Sequence, residues 1–159
     1  MRTSLFIALI AVFLMLSSTE ASAQSAANSS SYRNAIGLGI DFGDGSTLVG
    51  PSYKHFFSEN NVGKIEVLFG NYVAIQGFYE YHKGIEGAAG LRWFAGLGAG
   101  VGLDENNSAF LLKPIGGLDY KIDGVPLSFS FDWRPTAFTA DNSDFVAGRF
   151  GLGIRFCFN

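Results

Sequence analysis

Two stretches of this chain alternate apolar and polar residues with almost no exception. Leu127, Phe129, Phe131 and Trp133 alternate with Ser128, Ser130, Asp132 and Arg134. Phe150, Leu152, Ile154, Phe156 and Phe158 alternate with Arg149, Gly151, Gly153, Arg155 and Cys157. A period of two is that of a β-strand, whose successive side chains point to opposite faces. The same pattern begins at Arg33 and predicts eight strands, over 33–42, 48–57, 62–70, 72–82, 89–103, 108–122, 126–134 and 145–158. Segments rich in Gly, Asn and Asp separate most of them: GDGS at 43–46, SENN at 58–61, KGIEG at 83–87, DENN at 104–107 and DG at 123–124. Asp123-Gly124 carries the chemistry of a two-residue type I′ hairpin. The third and fourth strands join almost without a loop near 70–72, and the last connection, 135–144, is the longest. No helix-period segment and no domain linker follow residue 33.

Carried round all eight strands, the alternation sorts the charges. Asp41, Lys54, Lys64, Glu66, Glu80, Arg92, Lys113, Asp119, Lys121, Asp132, Arg134, Arg149 and Arg155 fall on one face, eight positive and five negative. The other charges from Arg33 onward (Arg33, Asp44, Glu59, Lys83, Glu86, Asp104, Glu105, Asp123, Asp141 and Asp144) fall in turns or at strand ends, so the opposite face has none.

Volume decides which face is inside. An eight-stranded barrel has an interior just wide enough for side chains to fill. The charged face carries twelve strand glycines, among them Gly37, Gly39, Gly96, Gly98, Gly151 and Gly153; the apolar face carries four, Gly63, Gly77, Gly116 and Gly148, and most of the large aromatics. The glycine-lined charged face is therefore expected to be concave and the aromatic face to meet lipid. Inward charges must pair, because unpaired buried charge is costly. Arg134 or Arg149 with Asp132 or Glu80 are the expected pairs, as structural filling rather than an open channel, since eight strands leave little bore.

The start of the chain reads as a targeting signal. Arg2 precedes an apolar run over 5–16, too short for a spanning helix, and Ala21 and Ala23 in A-x-A spacing predict cleavage after Ala23. No cysteine lies nearby, which argues against lipoprotein anchoring. A Ser/Asn-rich tether over 24–32 then leads into a barrel over 33–159. No later apolar run reaches helix-spanning length, so any membrane span must be a closed sheet. Composition closes off other classes. A net charge of −3 argues against nucleic acid as a partner. One cysteine excludes a disulfide scaffold and a multi-cysteine metal site. With 16% charged and 15% aromatic residues the chain is not of the disordered type.

Aromatic residues also cluster by depth. Tyr53, Phe57, Tyr79, Tyr81 and Tyr120 lie toward the ends of even strands, with Phe158 at the end of the last, and would form one interfacial girdle. Phe42, Phe110, Trp133 and Phe145 fall at the opposite rim.

The segments SYKHFF (52–57), GFYEYHKG (77–84), WFAGLGAGVG (93–102), GLDYKIDGVPLSFSFDWRP (117–135) and GLGIRFCF (151–158) resemble the small outer-membrane β-barrel proteins of Gram-negative bacteria, the class of OmpX and the OmpA transmembrane domain. The likeness covers nearly the whole chain after the signal. It implies an eight-stranded antiparallel barrel, periplasmic termini and insertion by the outer-membrane assembly machinery. In that class the machinery reads a last strand of alternating apolar residues ending in an aromatic, matched here by Phe150, Leu152, Ile154, Phe156 and Phe158; the class usually ends on the aromatic itself, whereas Asn159 follows here. The turns are shorter than the outer loops of adhesive members.

The catalytic search is thin. His55 and His82 are the only histidines, both near the rim assigned to the periplasm, His55 on the lipid side and His82 on the lumen side. Ser52 and Glu80 are possible partners, but nothing in the sequence fixes them near either histidine. The pair Asp104-Glu105 and the turn with Asp41 and Asp44 are too sparse for a calcium loop. Cys157 reads as a small packing residue facing the lumen. The glycine run at 96–102 lies inside a strand, so a dinucleotide reading fails on spacing and context.

The expectation is thus an all-β protein, an eight-stranded antiparallel up-and-down transmembrane β-barrel of the outer membrane. It would be a monomer with outer-membrane lipid as its surroundings, no cofactor, and no catalytic, cofactor-binding or metal site. Its role would be structural, envelope-maintaining or surface-interacting. A lipid A-modifying barrel enzyme and a soluble periplasmic lipocalin-like barrel with the faces reversed are the alternatives.

Overall fold

The structure, a computed structural model, describes residues 32–139 and 144–159. The expected signal over 1–23 and the tether before Tyr32 lie outside the described residues. The described elements are β1 (Asn34–Gly43), β2 (Ser46–Phe56), β3 (Asn61–Phe69), β4 (Val73–Gly84), β5 (Leu91–Leu103), β6 (Ser108–Lys121), β7 (Leu127–Trp133), β8 (Thr136–Thr139), β9 (Asp144–Val146) and β10 (Arg149–Phe158). From β1 to β7 each strand pairs antiparallel with the next, β8 pairs with β6 and β9, and β10 pairs with β7 and, along its whole length, with β1, Asn34 opposite Phe158 and Gly43 opposite Arg149. The sheet therefore closes into a barrel of eight staves, and closure leaves no long edge of unpaired backbone groups.

The seventh stave is β7 followed by β8. Both pair with β6 in one register, Trp133 opposite Gly116 and Ala137 opposite Leu112. That register carries Pro135 opposite Pro114; neither has an N–H to give, so the ladder breaks there and resumes. The eighth stave is β9 followed by β10. Val146 faces Thr136 and Phe150 faces Trp133, so the eighth stave holds one residue more than its partner between these pairs. This is a β-bulge near Ala147 and Gly148, and the Trp133 indole N–H donates to the Ala147 carbonyl at 2.7 Å. These facts correct the expected loop over 135–144. Five of its six described residues, 136–139 and 144, are strand, because Pro135 interrupts the stave without ending it. The part over 140–143 lies outside the described residues, and the longest described connection is instead 85–90, at the end that holds the termini.

A second correction concerns the tight hairpin. Asp44 and Gly45 have φ of 50° and 73° and connect the paired residues Gly43 and Ser46. Positive φ at both central residues is the type I′ turn. At Asp123-Gly124 only Gly124 is left-handed, φ 69°. The register Lys121 opposite Ser128 would bring Asp123 opposite Pro126, which lacks the N–H to close the pair. The connection opens to five residues, with Ile122 N–H donating to the Leu127 carbonyl at 3.0 Å. The short 70–72 turn between β3 and β4 is as expected.

The charged face is inside. Eleven of the thirteen charged residues assigned to it are buried, and Arg92 and Lys121 are half-buried at the mouth beside the termini. The outward aromatics are exposed, Phe131 at 49% and Phe156 at 51%. β4 extends to Gly84, so Lys83 stands within a strand, exposed at the rim.

Candidate functional site

The barrel interior is built around Arg134, fully buried at the end of β7. Its Nε and Nη2 donate to the two carboxylate oxygens of Asp132 at 2.6 and 2.8 Å, a bidentate fork. Its Nη1 donates to Glu66 Oε2 at 2.8 Å and lies 3.7 Å from Asp41. Glu66 also accepts from Gln76 at 2.9 Å, from Ser52 at 3.3 Å and from Arg155 at 3.3 Å. Asp41 holds Lys113 at 2.6 Å and Arg149 at 2.7 Å. Toward the termini, Glu80 pairs with Lys64 at 2.6 Å, and Lys54 pairs with Asp119. Six buried cations thus meet five buried carboxylates. Such compensation is what a low-dielectric interior requires of charges it holds.

Glycine makes the room. A Cβ on Gly151 would overlap the Arg134 guanidinium, and one on Gly153 would overlap that of Arg155. A Cβ on Gly39 would come within 2.9 Å of Glu66 Oε1. These three glycines are the floor on which the side chains of Glu66, Arg134 and Arg155 lie.

Of the expected pairs, Arg134 with Asp132 forms; Arg149 goes to Asp41, and Glu80 to Lys64 and His82. Phe56, Phe78 and Phe94 also point inward, which the contrast between a charged and an aromatic face obscures. Their parity with Lys54, Glu80 and Arg92 in the same strands is the signal that reveals them. They serve the cations: Lys64 Nζ stands 4.4 Å from the Phe78 ring centre, and the Arg134 guanidinium 5.3 Å from it. Apolar groups occupy both ends of the interior. Leu48, Leu68, Ala74 and Leu111, with Tyr72 and Phe138, fill the end away from the termini. At the other end Tyr32 packs edge-on against Phe56 at 5.0 Å.

The two histidines have different fates. His82 is buried in the lumen, stacked on Phe94 at 4.8 Å, with Nε2 2.8 Å from Glu80 Oε2. The structure therefore brings Glu80 to His82, whereas the Ser52 hydroxyl is held by Glu66 and Arg155. His55 faces outward and is hydrogen-bonded through Nδ1 to Asn34 Oδ1 at 2.8 Å. Asp41 is locked inside with Lys113 and Arg149 while Asp44 stands exposed in its turn, so the two do not converge. The Asp104 side chain accepts from the Glu105 N–H at 2.8 Å. Cys157 is buried and inward.

The outer wall is the other candidate surface. Tyr53, Phe57, Tyr79, Tyr81, Tyr120 and Phe158 are all exposed near the end that holds the termini. Two of the phenols end on polar partners: Tyr53 donates to Asn34 Oδ1 at 2.8 Å and Tyr79 to Asn61 Oδ1 at 3.0 Å. An apolar ring with a satisfied hydroxyl at its tip suits a boundary between hydrocarbon and water.

No family model, curated protein or solved structure matches this chain. The functional reading therefore rests on the barrel's own geometry and on the sequence.

Proposed function

We propose that this chain is an integral outer-membrane β-barrel protein without catalytic activity, with a structural, envelope-maintaining or surface-interacting role. One observation carries the reading: a closed barrel whose charges are buried and paired inside while Ile36, Leu38, Ile65, Ile75, Phe131, Ile154 and Phe156 stand exposed outside. A soluble barrel in water gains by the opposite arrangement, because burial of apolar area is the main favourable term. An exposed apolar belt this extensive calls for an apolar cover, and lipid is the cover that suits the wall of a closed barrel. The belt favours insertion over the soluble lipocalin-like reading. Against a lipid A-modifying enzyme stands the engagement of the candidate groups, Ser52 with Glu66 and Arg155, and His82 with Glu80 and Phe94. The sequence resemblance to small outer-membrane barrels, the signal segment and the aromatic girdles point the same way.

Cell fractionation tests the reading. The protein should sediment with outer membranes and resist extraction by alkaline carbonate; recovery in the soluble periplasmic fraction would refute it. The paired interior also predicts how the protein behaves in planar bilayers. With the lumen occupied by ion pairs and both ends by apolar side chains, the pure protein should give no stable porin-size conductance. Steady, large open-state currents would contradict the structural role assigned to the inward charges.

A further inference from the structure

Tyr53, Tyr79, Tyr81 and Tyr120 stand exposed on the wall near the termini. Alternation would send Tyr32 to join them, because the inward residues of β1, from Ala35 to Asp41, are odd-numbered. The chain bends at Arg33 instead, and Tyr32 turns into the mouth of the barrel against the inward-facing Phe56. Two hydrogen bonds fix the bend. The Phe56 N–H donates to the Arg33 carbonyl at 2.9 Å, and the Arg33 N–H donates to Asn159 Oδ1 at 3.2 Å.

The two sides of this mouth are covered differently. Phe56 covers one side, with the Arg92 guanidinium 5.4 Å from its ring centre and the His82 ring 5.5 Å away. On the other side the inward residues near the mouth are small, Ser128 in β7 and Cys157 in β10, and one pair further in Asp119 stands opposite Ser130. Lys121, the long side chain beside them, is turned to the carbonyls of Ile122 and Val125 at 2.6 Å each. Yet Ser128 is 0% exposed, Asp119 2% and Cys157 5%. Tyr32 supplies the missing cover. It lines, with Cys157 and Lys121, a cleft of about 340 Å³ at the mouth. Burial, and after it the Asp119 carboxylate, push the Tyr32 phenol well above its ordinary pKa, as suits a ring whose tip points inward.

We propose that Tyr32 is a removable stopper, closing the mouth beside the termini over Asp119, Ser128 and Cys157. The ladders of β1 with β2 and with β10 both begin at Asn34, so Tyr32 can withdraw without parting a strand pair. Displacing the chain ahead of β1 and admitting water to the ion pairs beneath are then one event. The device needs only the closed barrel and holds whatever surrounds the wall.

Cys157, the single cysteine of the chain, is the reporter. The test follows its labelling by a water-soluble methanethiosulfonate in the folded full-length barrel in detergent micelles. The wild type should label slowly. Tyr32→Ala should label roughly tenfold faster or more, because access no longer waits for a local opening. Tyr32→Phe keeps the ring and should label as the wild type does. Phe138→Ala, in the apolar cluster at the opposite end, should also leave the rate unchanged. Asn159→Ala keeps every ring but removes the acceptor that seats Arg33, and should label several-fold faster. A Tyr32→Ala barrel labelled no faster than the wild type would overturn the proposal. Were that variant to fail to fold, an unchanged rate in Asn159→Ala would do so. Tyr32→Phe labelled as fast as Tyr32→Ala would overturn it too, by making the hydroxyl rather than the ring the closure. So would a Tyr32→Ala rate that rises with urea in step with global unfolding, because access would then come through the unfolded chain.

Discussion

Arg134→Met is expected to lower the unfolding free energy of the barrel by about 3–5 kcal/mol, the cost of removing one partner from a buried ion network. Arg134 is the group on which three carboxylates converge, from β1, β3 and β7. Without it Asp132 loses both its hydrogen bonds from the guanidinium and Glu66 loses its shortest charged contact. Methionine keeps most of the stem, so lost packing contributes little and lost compensation dominates. The double variant Arg134→Met with Asp132→Asn should recover part of the loss, because it removes a charge left without its partner. Urea unfolding in phospholipid vesicles, followed by tryptophan fluorescence, measures both. A single variant within 0.5 kcal/mol of the wild type would show that the interior is hydrated well enough to screen these charges, as roughly that figure is the ordinary range for surface substitutions.

Outside, the largest effect is expected at Leu152, whose strand partners Ile40 and Phe131 are both apolar. Leu152→Arg should destabilise by about 2–4 kcal/mol, the cost of a lipid-facing arginine near the bilayer midplane. Phe110→Arg, at the rim away from the termini, should cost only about 0–1 kcal/mol, although Phe110 is the more exposed at 69%. The contrast separates lipid from water as the surrounding medium. In water, an exposed arginine would be tolerated equally at both positions.

Much of this architecture is legible in the alternation, because parity in a strand decides which way a side chain points. Reading Leu127 to Arg134 and Arg149 to Phe158 that way sorts the buried charges from the exposed aromatics correctly. Parity says nothing about height or register. Arg149 therefore pairs with Asp41, which the β1–β10 ladder brings near, rather than with Asp132 or Glu80. Nor can a proline be read locally. Pro135 looks like the end of a strand, yet its missing N–H faces Pro114 and the stave runs on into β8. The type I′ turn forms at Asp44-Gly45 rather than Asp123-Gly124 because the register beside the latter brings in Pro126. Of the candidate site, the opposite facings of His55 and His82 follow from parity. Parity also puts Glu80 and His82 on one face, since residues two apart share it, but the contact between them is seen only in the structure.

The central claim, that the aromatic wall meets hydrocarbon, is most directly tested with the protein's own two tryptophans. Trp93 and Trp133 both face outward, 36% and 51% exposed, one near the end that holds the termini and one toward the other. Refolding the unmodified protein into vesicles of phosphatidylcholine brominated along its acyl chains should quench both, and acrylamide in the water outside should quench neither strongly. Fluorescence that ignores the bromine and yields to acrylamide, from a protein left in the supernatant, would contradict the account.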